Sequence, residues 1–387
     1  MRKIPLFCLV ASMVVAFVFG SSHSFGQDQK LRFYIGTTVN AKAGGGIFLS
    51  DIDLSSGQLS EPVLAAATDR STFLYLHPSL PVLYSVAELN NGDGGGKGAG
   101  VISWKIDSNS GMLTEFSRQP AGGEGACFVI VRPDGRYVAI ANYGSGSISL
   151  YPLQKDGSTD AASANVQHVG SGPVEKRQSG PHAHSVRFDP SGKRLLAADL
   201  GTDDIFIYDI SDSGELLPSS PASLEMPAGS GPRHFVFSPD HRFVLGLGEI
   251  DGTITTFAFS PNVDPKPLFT VSTMAPSAPQ DAVRASAEIL FHPTLPVVYC
   301  SNRGPHEIAV FDFNTETGEV KRRSAIACGG QVPRNFRFTP DGRYLLVANQ
   351  GSNNVSVFTV DQTTGDLTAT DYQIALPSPM CIKFVPN

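Results

Sequence analysis

Apolar and polar residues alternate along most of this chain in short runs cut by turn residues, as in Asn335-Phe336-Arg337-Phe338, Tyr344-Leu345-Leu346-Val347-Ala348 and Val355-Ser356-Val357-Phe358. Pro340-Asp341-Gly342 and Gly351-Ser352-Asn353-Asn354 punctuate these runs, and Thr364-Gly365-Asp366-Leu367 follows them. A period of two marks a strand with one buried face, and turn chemistry between successive strands predicts a four-stranded antiparallel meander. The same order recurs from Phe128 to Tyr151, Val186 to Asp209, Phe235 to Phe257 and Ile289 to Phe311. A single meander cannot bury both of its faces, so neighbouring units must stack around an axis.

The phase of the repeat is set by a proline that follows the first strand of each unit: Pro78, Pro133, Pro190, Pro239, Pro293, Pro340 and Pro386. Their separations of 55, 57, 49, 54, 47 and 46 residues suit a radially repeated sheet. The two ends of the chain are incomplete units. Met380-Cys381-Ile382-Lys383-Phe384-Val385-Pro386 matches only a first strand, whereas Arg32-Phe33-Tyr34-Ile35-Gly36-Thr37 and Gly46-Ile47-Phe48-Leu49-Ser50-Asp51 match later ones. Joined, they make a seventh unit. The fold expected is an all-β seven-bladed β-propeller, its ring closed by the C-terminal strand joining the N-terminal blade.

Composition supports this reading and removes several functions. The 387 residues include 39 Gly and 28 Pro, a turn-rich supply with scarcely any helical periodicity. The formal net charge is -7 with no cluster of Lys and Arg, so there is no electrostatic footprint for nucleic acid. Arg2 and Lys3 precede an apolar stretch from Ile4 to Phe19 and a small-residue segment from Gly20 to Gly26, the layout of a secretory signal. Residues 1–26 are expected to be removed. The domain 27–387 would then work as a periplasmic or secreted monomer, without membrane attachment after cleavage. Cys127, Cys300, Cys328 and Cys381 lack Cys-x-x-Cys spacing and read as buried free thiols. Asn90 to Gly100, with its glycines, and the polar Lys155 to Ser179 read as loops between strands.

Candidate chemistry follows from the repeat used as a ruler. Six residues before each proline stand Thr72, Cys127, His184, Arg233, Ala287, Arg334 and Met380; ten residues after it stand Glu88, Tyr143, Leu200, Glu249, Arg303 and Gln350. Purely structural positions repeat one residue type, and these two registers do not. In a propeller, equivalent positions converge on the central channel, so His184, Arg233, Glu249 and Arg303 are expected to share a polar pocket. The arginines suit a carboxylate or phosphate and developing oxyanion charge, and Glu249 or His184 suits proton transfer to and from water. His182 would share the face of His184 if the strand begins early enough. His182 and His184 with Glu249 or Asp199 are the candidates for a divalent ion. The arginines of the same registers oppose a cation, so no metal or cofactor is expected. No Gly-x-Ser-x-Gly is present, and no cysteine has an evident His partner in sequence, which disfavours covalent catalysis.

Tyr34-Ile35-Gly36-Thr37, Ala141-Asn142-Tyr143-Gly144-Ser145-Gly146-Ser147, Gly180-Pro181-His182-Ala183-His184, Gly231-Pro232-Arg233-His234, Ser301-Asn302-Arg303-Gly304 and Pro333-Arg334-Asn335-Phe336 together carry a further signal. In these motifs the chain resembles the seven-bladed propeller lactonase family, which includes bacterial 6-phosphogluconolactonase and is related to 3-carboxy-cis,cis-muconate lactonizing enzyme. The resemblance covers nearly all of the chain after residue 26. It implies metal-free chemistry at a lactone in a cleft at one end of the axis, on a small anionic substrate. It also implies catalytic roles for His184, Glu249, Arg233 and Arg303, with Glu288 and Arg334 as adjacent substrate contacts; Tyr143, from the register after the proline, and His182, from strand alternation, complete the expected binding set. An export signal conflicts with a cytosolic sugar phosphate, so an aldonic acid or sugar lactone outside the cytoplasm is the expected substrate. The other function class is a non-catalytic exported propeller that binds a glycan, a peptide or a protein through its loops.

Overall fold

The computed structural model describes residues 1, 30–90, 97–260 and 265–386. The expected signal segment, apart from Met1, lies outside these residues, as does the centre of the glycine-rich segment. Seven four-stranded antiparallel sheets make up the fold. One is built from both ends of the chain, in the order Pro379–Phe384, Lys30–Thr37, Gly46–Asp53, Val63–Ala67. Its closing register pairs Phe33 with Phe384, Ile35 with Ile382 and Gly36 with Cys381. The predicted closure is therefore present in the hydrogen-bond ladder.

The other six sheets are sequential meanders with inner strands Leu74–Leu76, Ala126–Val131, Ala183–Phe188, Pro232–Phe237, Ser286–Phe291 and Pro333–Phe338. Strand faces that look toward neighbouring sheets carry the core, including Tyr34, Tyr84, Phe128, Phe235, Phe311 and Phe358, all essentially inaccessible to solvent. Two segments depart from the sequence reading. Lys155 to Ser179 is not simply a loop, because it holds the outer strand Ala164–Gln167 and a short helix, Glu175–Gln178. Beside the glycine-rich segment, strands Val82–Asn90 and Lys97–Ile106 pair as far as Asn90 with Lys97, so Lys97 to Gly100 belongs to a strand rather than a loop, its backbone groups being satisfied by that ladder and, at Gly100, by Pro120 of the next strand.

The repeat prolines mark a latch between blades. His77 accepts from the Ser79 and Leu80 N–H groups at Nδ1 (3.1 and 3.0 Å), which leaves Nε2–H to donate to the Gly135 carbonyl of the next blade at 3.2 Å. His292 repeats this with Thr294, Leu295 and Gly342. Gly342 has φ +73°, and a Cβ there would come within 2.6 Å of the His292 ring, so both the turn and the latch require glycine. At the next turn outward, the Tyr34 and Tyr84 hydroxyls donate to the Gly111 and Gly157 carbonyls of the adjacent blade, each at 2.7 Å.

One irregularity sets the site. Where inner strands pair with their neighbours, the register slips between Ala126 and Phe128, Ala183 and Ser185, Pro232 and His234, and Pro333 and Asn335. The residues left unpaired are Cys127, His184, Arg233 and Arg334, the members of the register six before the proline. A β-bulge leaves one residue outside the ladder and re-aims its side chain. Each of these blades thus delivers one side chain into the top of the channel.

Candidate active site

A cavity of about 660 Å³ opens at one end of the axis. Its walls include Tyr143, His184, Arg233, Glu249, Arg303 and Arg334, which are six of the eight residues singled out in the sequence. Charge is uneven around it: among the described residues Arg70, Arg177, Arg233, Arg303 and Arg334 face two carboxylates, Glu88 and Glu249. In a protein of net charge -7, such a local excess of cations focuses anions onto the cavity.

Glu249 is the hub of the arginines. Its Oε2 lies 3.0 Å from Arg233 Nε and 2.8 Å from Arg303 Nη2, while its Oε1 accepts from Arg177 Nη2 at 2.6 Å. Burial works to raise the Glu249 carboxyl, but Arg303, Arg233 and Arg177 outweigh it and hold it at about 2. Glu249 is thus a carboxylate fully engaged in ion pairs, with little basicity to offer. Arg233 is fixed by its Nη1 bond to the Ala287 carbonyl, and Arg303 by Nε to the Ala285 carbonyl at 2.9 Å. Arg334 differs. Its Nε is buried, and among the described residues its guanidinium has no hydrogen-bond or ion-pair partner. Burial and the nearby Arg303 lower it to about 10, still a cation at neutral pH.

His184 sits among cations and rings. Its imidazole packs edge-on against Tyr143 and His234, with centroids 5.5 and 5.4 Å away. Burial, then Arg233, His234 and Arg334, lower its pKa well below the usual histidine value, so the neutral base predominates. Cys127 Sγ lies 4.0 Å from His184 Nδ1 and donates to the His184 carbonyl at 3.3 Å. No histidine partner for Cys127 was evident along the chain, and the bulges supply one by aiming both residues at the same volume. Burial nevertheless pushes the Cys127 thiol up to about 12 despite Arg233 and Arg334, so it is no thiolate.

The other two predicted contact residues lie off the cavity wall. His182 stacks on Tyr143 at 4.7 Å and donates from Nδ1 to the Tyr143 carbonyl at 2.9 Å, supporting that ring from behind. Its own N–H is held by Asp199 Oδ1 at 2.6 Å, and Asp199 Oδ2 meets buried His168 Nδ1 at 2.7 Å. Asp199 and Glu249, the carboxylates considered beside the two histidines for a divalent ion, are thus both engaged with other partners. Among the described residues no group of three or more His, Cys, Asp and Glu side chains is placed to hold a metal ion. Glu288 is fully buried one layer below the cavity. There it accepts from Asn335 Nδ2 and lies 2.9 Å from His234 Nδ1, because it belongs to the register five before the proline rather than six.

Two contributors have no precedent in the sequence reading. His234 enters from that lower register, its Nε2 3.3 Å from Arg233 Nη1. Arg177 comes from the short helix Glu175–Gln178, which Gln178 anchors through the Leu200 carbonyl at 2.9 Å and Asp203 Oδ1 at 2.7 Å. The motif Gly231-Pro232-Arg233-His234 held the signal for His234. Arg177 lies in an insertion with no repeat partner and had none.

A family model described as Lactonase, 7-bladed beta-propeller, matches residues 32–384. The chain belongs to the seven-bladed β-propeller lactonase family, and it is an enzyme of that hydrolase class. It is 33% identical over 356 residues to the 6-phosphogluconolactonase of Bacillus subtilis, covering 91% of this chain and 98% of that one. It is 32% identical to the 6-phosphogluconolactonase of Formosa agariphila, with 86% and 94% covered. The solved structure of the periplasmic gluconolactonase of Pseudomonas aeruginosa superposes with a TM-score of 0.85 at 29% identity, covering 92% of this chain and 99% of that one.

Proposed function

We propose that the axial cavity hydrolyses a sugar-acid lactone bearing a phosphate or carboxylate, with His184 as the base and the arginines as anion and oxyanion holders. The observation that carries this reading is the placement of a neutral His184 beside Arg233 and Arg334 in a cavity where arginines outnumber glutamates. The names of the relatives support sugar lactones as the substrate class.

His184 takes a proton as water oxygen bonds to the lactone carbonyl carbon. The carbonyl π electrons move onto oxygen, where buried guanidinium groups stabilise the charge. Collapse of the tetrahedral intermediate breaks the bond from that carbon to the ring oxygen. The proton held on His184 passes to the departing alkoxide, giving a hydroxy acid that ionises to its carboxylate. Arg334, unpaired with protein, suits the substrate's own anionic group, while Glu249 holds Arg233, Arg303 and Arg177 in place. The N-terminal signal-like segment and the periplasmic relative support a location outside the cytoplasm.

The test is acid release by purified protein from gluconolactone, its 6-phosphate and a muconolactone, with spontaneous ring opening subtracted and with chelator present in a parallel series. Saturable turnover of an anionic sugar lactone, unchanged by chelator, is expected. Turnover confined to neutral lactones would refute the anion assignment, and turnover of none would refute hydrolysis.

A further inference from the structure

Below the catalytic cavity the channel has its own charge pattern. Three residues before each repeat proline, on the same strand face as the register five before it, stand Tyr75, Ile130, Arg187, Val236, Leu290, Arg337 and Lys383. Four of them, Tyr75, Ile130, Arg187 and Val236, line a second cavity of about 300 Å³ that shares no residue with the catalytic one. Arg187 Nε and Nη2 and Arg337 Nε are buried atoms without a hydrogen-bond partner among the described residues. The Lys383 ammonium lies 4.9 and 4.8 Å from the Phe73 and Tyr75 ring centroids, and among the described residues no carboxylate is within ion-pair distance of it. The Arg187 guanidinium carbon stands 5.9 Å from the rings of both Phe128 and Phe235.

Glu288 is the carboxylate whose field reaches all three cations, and its oxygens are already taken by His234 and Asn335. All three side chains are half-buried, and burial and the nearby Arg337 lower Lys383 to about 7; three basic groups facing one carboxylate are unfavourable by themselves, since charge removed from water is costly unless neutralised. The remaining walls are largely apolar, with Ile130, Val236 and Phe237 among them, so a counter-charge there would interact at low dielectric.

We propose that Arg187, Arg337 and Lys383 form a second, non-catalytic site at the opposite end of the axial channel, which binds a small divalent oxyanion such as inorganic phosphate. Arg187 and Arg337, joined by Lys383 once a bound anion holds it protonated, exceed the single Glu288 charge by two and so call for a dianion, and the free guanidinium donors suit oxygen acceptors. The bound anion would bridge blades that are remote in sequence, namely those carrying Arg187, Arg337 and Lys383, and would stabilise the closed ring.

The experiment is a phosphate titration of the melting temperature at constant ionic strength, with chloride as the balancing salt. It compares the wild type, the double variant Arg303→Ala/Arg334→Ala that disarms the catalytic cavity, and two basal variants made in that double-variant background, one adding Arg187→Gln and the other Lys383→Met. Phosphate at 100-fold above its dissociation constant should raise the melting temperature by about 3–4 °C in the wild type and in the double variant. The rise should be lost in both basal variants. Two basal variants are used so that misfolding of one leaves the other to decide. Loss of the rise in the double variant, its survival in the basal variants, or its absence from the wild type would overturn the proposal.

Discussion

Glu249→Gln separates the two roles that carboxylate could have. The change keeps the shape of the side chain and removes the charge that sits 3.0 Å from Arg233, 2.8 Å from Arg303 and 2.6 Å from Arg177. Arg233 is the partner most completely removed from water, with 3% of its side chain exposed, so its loss of counter-charge weighs most. Breaking a buried ion pair from one side costs about 3–5 kcal/mol. The depression of the Glu249 carboxyl from 4.5 to about 2 gives an independent figure of about 3 kcal/mol, at 1.36 kcal/mol per pH unit. For a chain of this length that corresponds to a fall in melting temperature of about 4 °C near neutral pH. The folded-state pKa is depressed, so the stabilisation is present above pH 4.5 and fades as the pH falls toward 2. The gap between wild type and variant should therefore close over that acid range. Melting curves between pH 3 and pH 8 measure it, alongside lactone turnover at pH 7. As an organiser of arginines, Glu249 should leave turnover within about 10-fold after substitution, well short of the loss expected for a base. Loss of about 1,000-fold or more with an unchanged melting temperature would refute the reasoning and make Glu249 the base.

Arg334→Ala should lower kcat/KM for a phosphorylated lactone by about 10–150-fold, the range of a charged hydrogen bond, and change that for its neutral counterpart by less than about 3-fold; parallel Michaelis curves check it. The acid limb of the kcat/KM profile should lie below pH 6.5, because burial and Arg233 keep His184 neutral in that range. A limb at or above pH 6.5 would contradict that account. Gly342→Ala should lower stability by about 2–3 kcal/mol through left-handed strain and loss of the His292 latch. Turnover by the folded fraction should be unchanged, as thermal melts and specific activity will show.

The blade count and the ring closure were legible because turn chemistry and strand alternation are local, and the repeat proline gave them a common phase. The register six before the proline was legible for the same reason, although its cause was not. Alternation alone cannot put both Arg233 and His234 on the channel side, and the bulge that does so appears in the hydrogen-bond register between Pro232 and His234. That is also why Glu288 was expected beside substrate and is found a layer deeper, bound to His234. Arg177 was illegible, since its position depends on how an inserted segment packs, with Gln178 tied to Asp203 of the next blade. The partnership of Cys127 with His184 likewise needs two neighbouring blades to be set side by side.

The most direct test of the central claim is the second-order rate of lactone ring opening by His184→Gln against wild type, on the best anionic sugar lactone, with the melting temperature of each protein measured in the same buffer. The account predicts a fall of about 100- to 10,000-fold in kcat/KM, the range typical of a lost general base, in a protein that melts within about 2 °C of wild type. A rate within a few-fold of wild type would contradict it and remove His184 from the chemistry.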